Sequence, residues 1–256
     1  MDSSDTDRAV SILRRTPLLA ACRDSARSRR ELSEQTGVSR TTVYRATVAL
    51  EDRGLLEKTK EGYRTTSQGT ALLSASETYE TAVETIDRLD PLFDLVSHPT
   101  LLEHAHLFAD ATVVVADPSN PYRVVGHVME RFEATATSRG TLVNPTAVEA
   151  IERAMPELAS KDHIERIFTA SALEAHETVG GEGFDEVTES DSLSVLVADD
   201  DAVPFSFAID DDDVSIVGHD PATGLPTVHV ESGRPAARAW LEALYERCKA
   251  AATPVA

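Results

Sequence analysis

The chain contains 256 residues, a length that suits one large domain or two domains of ordinary size. Hydrophobic residues make up 41% of it, so it can bury a core and should not be disordered as a whole. It lacks the run of about 20 apolar residues that a membrane-spanning helix needs. Its two cysteines, Cys22 and Cys248, lie far apart, which argues against a disulfide framework or a zinc ribbon. Together with a polar, acidic N-terminus, these features predict a soluble, cytoplasmic protein.

The net charge is strongly negative and unevenly distributed. The sequence has 24 Lys and Arg against 44 Asp and Glu, a net of −20, and only four of the basic residues are lysines. This composition resembles that of proteins from halophilic microbes, where molar salt shortens the Debye length to about 3 Å and screens self-repulsion. The alternative is an acidic surface that binds a basic partner. Residues 1–70 carry a net charge of +3 (13 basic, 10 acidic) and residues 71–256 carry −23 (11 basic, 34 acidic), which suggests two domains with different partners.

Turn and cap residues in the first 70 positions predict three helices. Thr16 and the following proline are typical of a helix start, with the threonine as the cap. A second helix opens at Ser28, which has Glu31 at the spacing of a capping box, and it ends at Gly37. Ser39 then caps a third helix that runs from Arg40 to about residue 53. Its residues at helical spacing predict a buried stripe: Val43, Ala46, Thr47 and Leu50.

A short hairpin is predicted after the third helix. Residues 56–65 contain two strand-like runs around a Glu-Gly turn. The complete pattern resembles prokaryotic winged-helix transcription regulators, and it reads Leu32-x4-Gly37-Val38-Ser39-Arg40-Thr41-Thr42-Val43-x6-Leu50-x3-Gly54-Leu55-Leu56, then Tyr63-Arg64-x-Thr66-x2-Gly69. The resemblance implies DNA binding. Helix-turn-helix modules that bind proteins, or that have lost their function, are the alternative.

Helix geometry assigns a role to each exposed residue of such a module. A helix fits the major groove, where its exposed N-terminal residues meet base edges, so base contacts are predicted from Arg40, Thr41, Tyr44 and Arg45. Phosphate contacts at the helix start are predicted from Ser39 and Thr42. The wing is predicted to touch the DNA backbone or the minor groove through Lys58, Lys60 and Arg64. A solvated arginine, or a Tyr44 packed on the first helix, is the alternative for individual residues.

Residues 71–97 predict a connecting helix that also serves dimerisation. Apolar residues alternate at spacings of three and four along it: Leu72, Ala75, Tyr79, Ala82, Ile86 and Leu89. The Asp90–Pro91 pair predicts a kink or a restart of the helix. In winged-helix repressors such a helix often pairs across a dimer axis, and the alternative is that the stripe packs on its own domain.

Residues 98–256 predict a mixed α/β domain. Strand-like segments lie at Ala111–Ala116, His163–Phe168, Leu193–Ala198, Pro204–Ile209, Val214–His219 and Thr227–Val230. Helices are predicted at Tyr122–Thr135, at Asn144–Met155 and from Pro235 to about Ala251, the last with Ala236, Ala239, Trp240, Leu244 and Cys248 facing inward. The run Asp210–Asp213 is expected to form a solvated hairpin turn.

The end of this domain resembles the effector-like domain that follows the winged helix in archaeal regulators, including those of methanogenesis genes. The likeness rests on Val203-Pro204-Phe205-x-Phe207-x-Ile209-Asp210-x2-Asp213-Val214, on Gly218-His219-Asp220-x3-Gly224 and on Pro235-x-Ala237-x2-Trp240-x4-Tyr245. It implies a transcription factor and does not fix a ligand.

Sequence motifs of catalysis or metal binding are not found in this chain. The Asp210–Asp213 run lacks the spacing of a calcium loop, and the nearby histidines His98, His104 and His106 have no partner at ligand spacing, so they are expected at the surface or in packing. We therefore predict a protein that is not an enzyme, with no catalytic residues, no metal site and no cofactor.

The sequence thus predicts an α+β protein in three parts: a winged helix over residues 1–70, a connecting helix over residues 71–97 and a sensing or dimerisation domain over residues 98–256. Its predicted function is that of a homodimeric regulator that binds double-stranded DNA sequence-specifically and is controlled by a small ligand or by a partner at the C-terminal domain. Two alternatives are an enzyme or interaction module with a winged helix that does not bind DNA, and a basal transcription or chromatin protein.

Overall fold

The computed structural model describes residues 3–144, 161–175 and 192–255. The chain divides into two compact units, Met1–Thr81 and Ala82–Ala256. The first unit is mainly helical and the second is built around a sheet, which confirms the predicted α+β class. The helix predicted at Asn144–Met155 lies outside the described residues, apart from its first residue.

In its described residues, the first unit consists of helices followed by a two-stranded antiparallel hairpin, as the sequence predicts, and one additional helix precedes them. Its elements are α1 (Ser3–Leu13), α2 (Thr16–Ala21), α3 (Arg29–Thr36), α4 (Arg40–Glu51) and the antiparallel strands β1 (Leu56–Lys58) and β2 (Tyr63–Thr65). Helix α1 was not predicted, and the predicted cap of α2 was wrong. The N-cap position belongs to Arg15, and the Thr16 hydroxyl instead donates to the Leu13 carbonyl at 2.8 Å, at the end of α1.

The predicted caps of α3 and α4 are confirmed. The Ser28 hydroxyl accepts from the Glu31 N–H at 3.3 Å, and the Ser28 N–H donates to the Glu31 carboxylate at 2.8 Å. The Ser28 hydroxyl also donates to the Glu31 carboxylate at 2.7 Å, and this bond, together with the one from the Ser28 N–H, lowers the pKa of the exposed Glu31 carboxyl. Gly37 ends α3 with φ +71°, a left-handed conformation that favours glycine. The Ser39 hydroxyl accepts from the Thr42 N–H at 3.3 Å and begins α4.

A small apolar core fixes the face that α4 turns to solvent. The predicted stripe of Val43, Ala46, Thr47 and Leu50 is buried. It lies in or beside a cluster that includes Leu19, Leu32, Leu55, Tyr63 and Leu73. Since one face of α4 is buried against this core, its opposite face is left for a partner.

Helix α5 (Ser67–Phe93) runs without interruption past Pro91, where a kink or restart was predicted. Its Leu73 lies in the core of the first unit. Its Leu89 and Leu92 are fully buried in the core of the second unit. Within the predicted apolar pattern, Leu72 packs against the first core and Leu89 lies in the second, so the pattern serves two different cores.

The described residues of the second unit contain an eight-stranded mixed sheet. Its elements are α6 (Pro99–His104), a 3-10 turn (Ala105–Phe108), β3 (Thr112–Val115), α7 (Arg123–Ala134), β4 (Thr137–Leu142), β5 (His163–Thr169), β6 (Leu193–Ala198), a 3-10 turn (Asp200–Ala202), β7 (Ser206–Asp210), β8 (Val214–His219), β9 (Pro226–Ser232), α8 (Pro235–Ala250) and β10 (Thr253–Pro254). Residues 170–175 are also helical. The strand order is β10-β6-β5-β4-β7-β8-β9-β3, with parallel pairing between β4 and β5 and between β5 and β6 and antiparallel pairing elsewhere.

Strand β4 was missed because it lacks a run of β-branched apolar residues. Its Gly140 permits close pairing with β7, since a Cβ at this position would lie 2.2 Å from the Phe207 carbonyl oxygen. The prediction for α8 was wrong at two positions. Ala236 and Ala239 are exposed, while Ala237, Leu241 and Tyr245 join Trp240, Leu244 and Cys248 in the buried face. Alanine is compatible with either face of a helix, so the pattern could not fix the rotation.

The Asp210–Asp213 run does form the turn between β7 and β8, but it is not simply solvated. The Asp211 carboxylate accepts from the backbone N–H groups of Ala136 at 2.7 Å and Thr137 at 3.0 Å. Asp213 forms an ion pair with Arg131 at 2.6 Å. The turn therefore ties α7 and β4 to the sheet, a role for carboxylates that composition alone could not show.

Candidate nucleic-acid interface

The exposed face of α4 carries the four residues that the sequence predicts as base readers. Arg40, Thr41, Tyr44 and Arg45 are all exposed. Residues four apart lie next to each other on the surface of a helix. Arg40 is therefore adjacent to Tyr44 and Thr41 to Arg45, which gives two neighbouring rows. A helix of 12 residues is about 18 Å long and about 10–12 Å wide, which matches the roughly 12 Å width of the major groove.

The start of α4 offers donors for an anion. Ser39 and Thr42 are exposed, and their hydroxyl oxygens lie 2.9 Å apart. The first N–H groups of a helix have no partner within the helix, and the helix dipole places partial positive charge there. This end of α4 therefore suits a phosphate, with the two hydroxyls beside it.

Tyr44 is held by a residue that the sequence analysis did not single out. The guanidinium of Arg29, in α3, lies 4.3 Å from the centre of the Tyr44 ring and 5.1 Å from that of Tyr63. The Arg29 Nε also donates to the Thr47 hydroxyl at 3.0 Å, so the cation is fixed above the ring. Tyr44 remains 54% exposed, which does not fit the alternative in which it packs on the first helix. Since Arg29 and Tyr44 are far apart in sequence, no spacing rule could have revealed the contact.

The wing presents its three cations to solvent. Lys58, Lys60 and Arg64 are exposed on the β1–β2 hairpin and the loop between its strands. Arg64 pairs in register with Glu57, and residues 56–65 contain three basic and two acidic side chains. The net charge of the wing is therefore only +1.

The wing is anchored through its second strand. The Tyr63 N–H donates to the Arg27 carbonyl at 2.8 Å, and the Arg27 N–H donates to the Tyr63 carbonyl at 2.9 Å. Gly62 has φ +141°, and a Cβ there would lie 2.3 Å from the Arg27 carbonyl oxygen. Only glycine allows this approach, which fixes the hairpin against the segment before α3.

Two family models match this chain and cover most of it. Residues 3–88 match the HVO_A0261 N-terminal domain. Residues 121–251, just over half of the chain, match the middle domain of the methanogenesis regulatory protein FilR1. The chain belongs to this family of archaeal transcription regulators.

The solved structures that resemble the regulator share little sequence identity with it. TrmBL2, an archaeal chromatin protein with a novel mode of DNA binding, is 14% identical, with 94% of this chain and 92% of that chain covered and a TM-score of 0.41. NucT from Helicobacter pylori is 11% identical, with 57% of this chain and 98% of that chain covered and a TM-score of 0.44. These TM-scores are too low to establish a common fold. No curated protein matches the regulator closely enough to count as a relative.

Several charged and aromatic groups in the second unit of the regulator take part in internal contacts. The Lys249 ammonium donates to both carboxylate oxygens of Glu165, at 2.7 and 2.8 Å, and Tyr245 donates to the same carboxylate. Burial alone would raise the pKa of Glu165, but these hydrogen bonds outweigh it and lower the pKa. His104 stacks on Trp240 with ring centres 4.9 Å apart, as expected of a packing residue.

Among the described residues of the regulator, no helix is both long and apolar enough to cross a membrane.

Proposed function

We propose that this regulator binds double-stranded DNA sequence-specifically, with α4 in the major groove and the wing on the backbone. The observation that carries the proposal is the exposed face of α4, where two arginines, a threonine and a tyrosine lie on a capped helix above a rigid core. The match of residues 121–251 to the middle domain of a regulatory protein favours a regulatory role for the second unit over a catalytic one.

Each residue has a role that follows from its chemistry. Arg40 and Arg45 offer the planar fork of donors that recognises guanine, while Thr41 and Tyr44 offer a hydroxyl and an apolar surface for base edges. Ser39 and Thr42 bind phosphate at the helix start. Lys58, Lys60 and Arg64 contact the backbone or the minor groove without reading sequence.

We also propose that the active form is a homodimer that acts in the cytoplasm, where its DNA lies. Three large apolar side chains of α5 are exposed: Tyr79 at 58%, Val83 at 38% and Ile86 at 48%. Monomeric proteins rarely expose neighbouring apolar side chains that form a continuous patch. The three side chains lie within one stripe of the helix, and a second copy of the helix would cover them. The second unit would bind a small-molecule effector, and the acidic composition would serve a salt-rich cytoplasm.

Footprinting of the purified regulator across genomic DNA tests the proposal. Discrete protected sites with two related half-sites are expected, because a dimer presents two copies of α4. Uniform protection would instead indicate a chromatin or basal transcription protein. Absence of any protection would indicate a winged helix that binds protein. The variant Arg247→Ala removes an exposed arginine of α8 and serves as a control for loss of charge alone.

A further inference from the structure

Three side chains with metal-ligating atoms meet between α7 and the sheet of the second unit. They are His127 of α7 and His229 and Glu231 of β9, and one ligand atom from each lies within 4.8 Å of the other two. Residues two apart on a strand share a face, so His229 and Glu231 point to the same side of the sheet. Val228 and Val230 point to the other side, into the main apolar core.

The cluster contains polar atoms that the protein itself leaves unsatisfied. His229 is only 3% exposed, and its Nδ1 atom is buried without a hydrogen-bond partner among the described residues. The Nε2 atom of His127 is likewise buried without a hydrogen bond, although it lies 3.4 Å from a carboxylate oxygen of Glu231. A buried nitrogen without a partner costs free energy, so two of them at one place require an explanation.

We propose that His127, His229 and Glu231 bind a divalent transition-metal ion, for which Zn²⁺ is the representative probe. Two ligands at about 2.0–2.1 Å from a tetrahedral zinc ion lie about 3.3 Å apart. The 3.4 Å between His127 Nε2 and Glu231 Oε2 already meets this requirement. Two imidazoles and a carboxylate are ligands that suit zinc and its neighbours, whereas Ca²⁺ and Mg²⁺ prefer oxygen alone.

The contact between Arg131 and Glu231 leaves the carboxylate able to bind a metal ion. Arg131 lies one helical turn after His127, and its Nε is 3.3 Å from Glu231 Oε2. A carboxylate oxygen has two lone pairs, so Glu231 Oε2 can accept a hydrogen bond from Arg131 and bind a metal ion at the same time.

In this site Arg131 would orient the Glu231 carboxylate. It would not be the cation that the cluster binds in place of a metal ion. Its guanidinium is also anchored by Asp213 at 2.6 Å, so the side chains of Arg131, Asp213 and Glu231 together carry a charge of −1. A simple ion pair between His127 and Glu231 would leave His229 without a partner. A metal ion satisfies all three side chains, and its fourth position is open to water or to a small ligand.

Spacing along the chain, on which the prediction of no metal site relied, does not reveal this cluster. His127 lies on a helix far in sequence from β9, and only folding brings them together. The proposal goes beyond DNA binding and does not depend on it. It also gives the second unit a specific ligand chemistry, which the family resemblance did not.

Titration of the metal-free full-length protein with Zn²⁺ by calorimetry tests the proposal. The buffer should contain 1 M KCl and excess Mg²⁺, which screen and occupy surface carboxylates. One tight equivalent is expected for the wild type and for His106→Gln, which alters an exposed histidine of the same unit. His127→Gln and Glu231→Gln should each weaken binding at least tenfold. The Cys22 thiol does not compete for Zn²⁺, because burial raises its pKa to about 11.

A second measurement on the wild type keeps the test independent of how the variants fold. Adding Zn²⁺ should shift the ring NMR signals of His127 and His229 and leave those of His106 in place. Co²⁺ bound at the same site should give the visible absorption of a four-coordinate ion. The proposal is overturned if the wild type binds no tight equivalent, if both variants bind as tightly as the wild type, or if the two ring signals do not respond.

Discussion

Arg29 and Tyr44 show how one contact prepares a side chain for recognition. An exposed tyrosine normally samples several rotamers, and ordering it on DNA costs entropy. The guanidinium held 4.3 Å above its ring by the hydrogen bond to Thr47 limits this freedom before DNA arrives. Within the part of the chain that the structure describes, the arginines of α4 have no such support, so their contribution depends on the contacts they make with bases.

We predict that Arg40→Ala and Arg45→Ala remove sequence specificity without unfolding the protein. Both residues are exposed, so each change should alter the free energy of unfolding by less than about 0.5 kcal/mol. Each lost base contact should cost about 1–3 kcal/mol of binding free energy. Footprinting and thermal melting measure the two effects, with Arg247→Ala as the control. A double variant that still protects the wild-type sites would refute the assignment of α4.

Lys60→Ala is predicted to act differently, because a wing lysine contacts phosphate. It should weaken binding to specific and random DNA by about the same factor and reduce the salt dependence of affinity by about one charge. Competition binding with both types of DNA measures this. A loss confined to the specific site would mean that the wing reads sequence.

His219 is predicted to make stability depend on pH in the acid range. Burial lowers its pKa from 6.5 to about 4, so between these values the unfolded chain binds a proton that the folded chain does not. Stability should therefore fall as pH decreases from about 6.5 to about 4, by at most about 3 kcal/mol from this residue. His219→Gln should flatten the dependence of the melting temperature on pH over that range. His106→Gln, at an exposed position, should leave it unchanged, and equal slopes for both variants would exclude this role for His219.

At the scale of elements, α5 combines three surfaces on one helix. Leu73 is buried in one core, Leu89 and Leu92 in another, and Tyr79, Val83 and Ile86 are exposed between them. The heptad pattern in the sequence did not separate these roles, because burial in a core and burial at a dimer interface select the same apolar residues. The exposed stripe that a second copy of α5 could cover runs from Tyr79 to Ile86, so it is shorter than the predicted pattern, which runs from Leu72 to Leu89.

Ile86→Asp is predicted to convert the dimer to a monomer, since it places a charge in the middle of the exposed stripe. Light scattering should show half the mass, and affinity for a site with two half-sites should drop because the second contact is no longer tethered. Ser74→Asp is the control, because Ser74 is exposed and lies about 120° around the helix from Ile86. A folded dimer in the Ile86→Asp variant would contradict the role of α5.

At the scale of the whole molecule, the charge distribution sets the response to salt. The net charge is +3 over residues 1–70 and −23 over the remainder, so most of the chain repels DNA. The repulsion reaches about 30 Å at 0.01 M salt and only about 3 Å at 1 M. Direct contacts from α4 and the wing persist at short range.

The full-length protein is predicted to show a flat or non-monotonic dependence of DNA affinity on KCl between about 0.1 and 3 M, with partial unfolding at low salt. An ordinary DNA-binding protein loses affinity steadily as salt rises. A fragment of residues 1–81, which keeps Leu73 in its core, should show that ordinary slope. A steep negative slope for the full-length protein, with stable folding at low salt, would refute both the charge argument and the halophilic interpretation.

Helices α3 and α4 and the hairpin that follows them could be predicted from the sequence, because their signals are local. Caps at Ser28 and Ser39, the left-handed Gly37 and the stripe of α4 all depend on residues within one or two turns of each other. Short-range hydrogen bonds and helical periodicity can be predicted from a sequence, because the residues involved are close together along the chain. The strands of the second unit with apolar, β-branched residues were predicted for the same reason.

Only the tertiary structure decided the features that join distant parts of the chain. The pairing of β4 with β7 depends on Gly140 meeting a backbone from another segment, and the face of α8 depends on which sheet residues it covers. The Arg29–Tyr44 contact and the cluster of His127, His229 and Glu231 likewise unite residues far apart in sequence. Such contacts leave no periodic trace, because a side chain meets its partner through the path of the backbone and not through spacing.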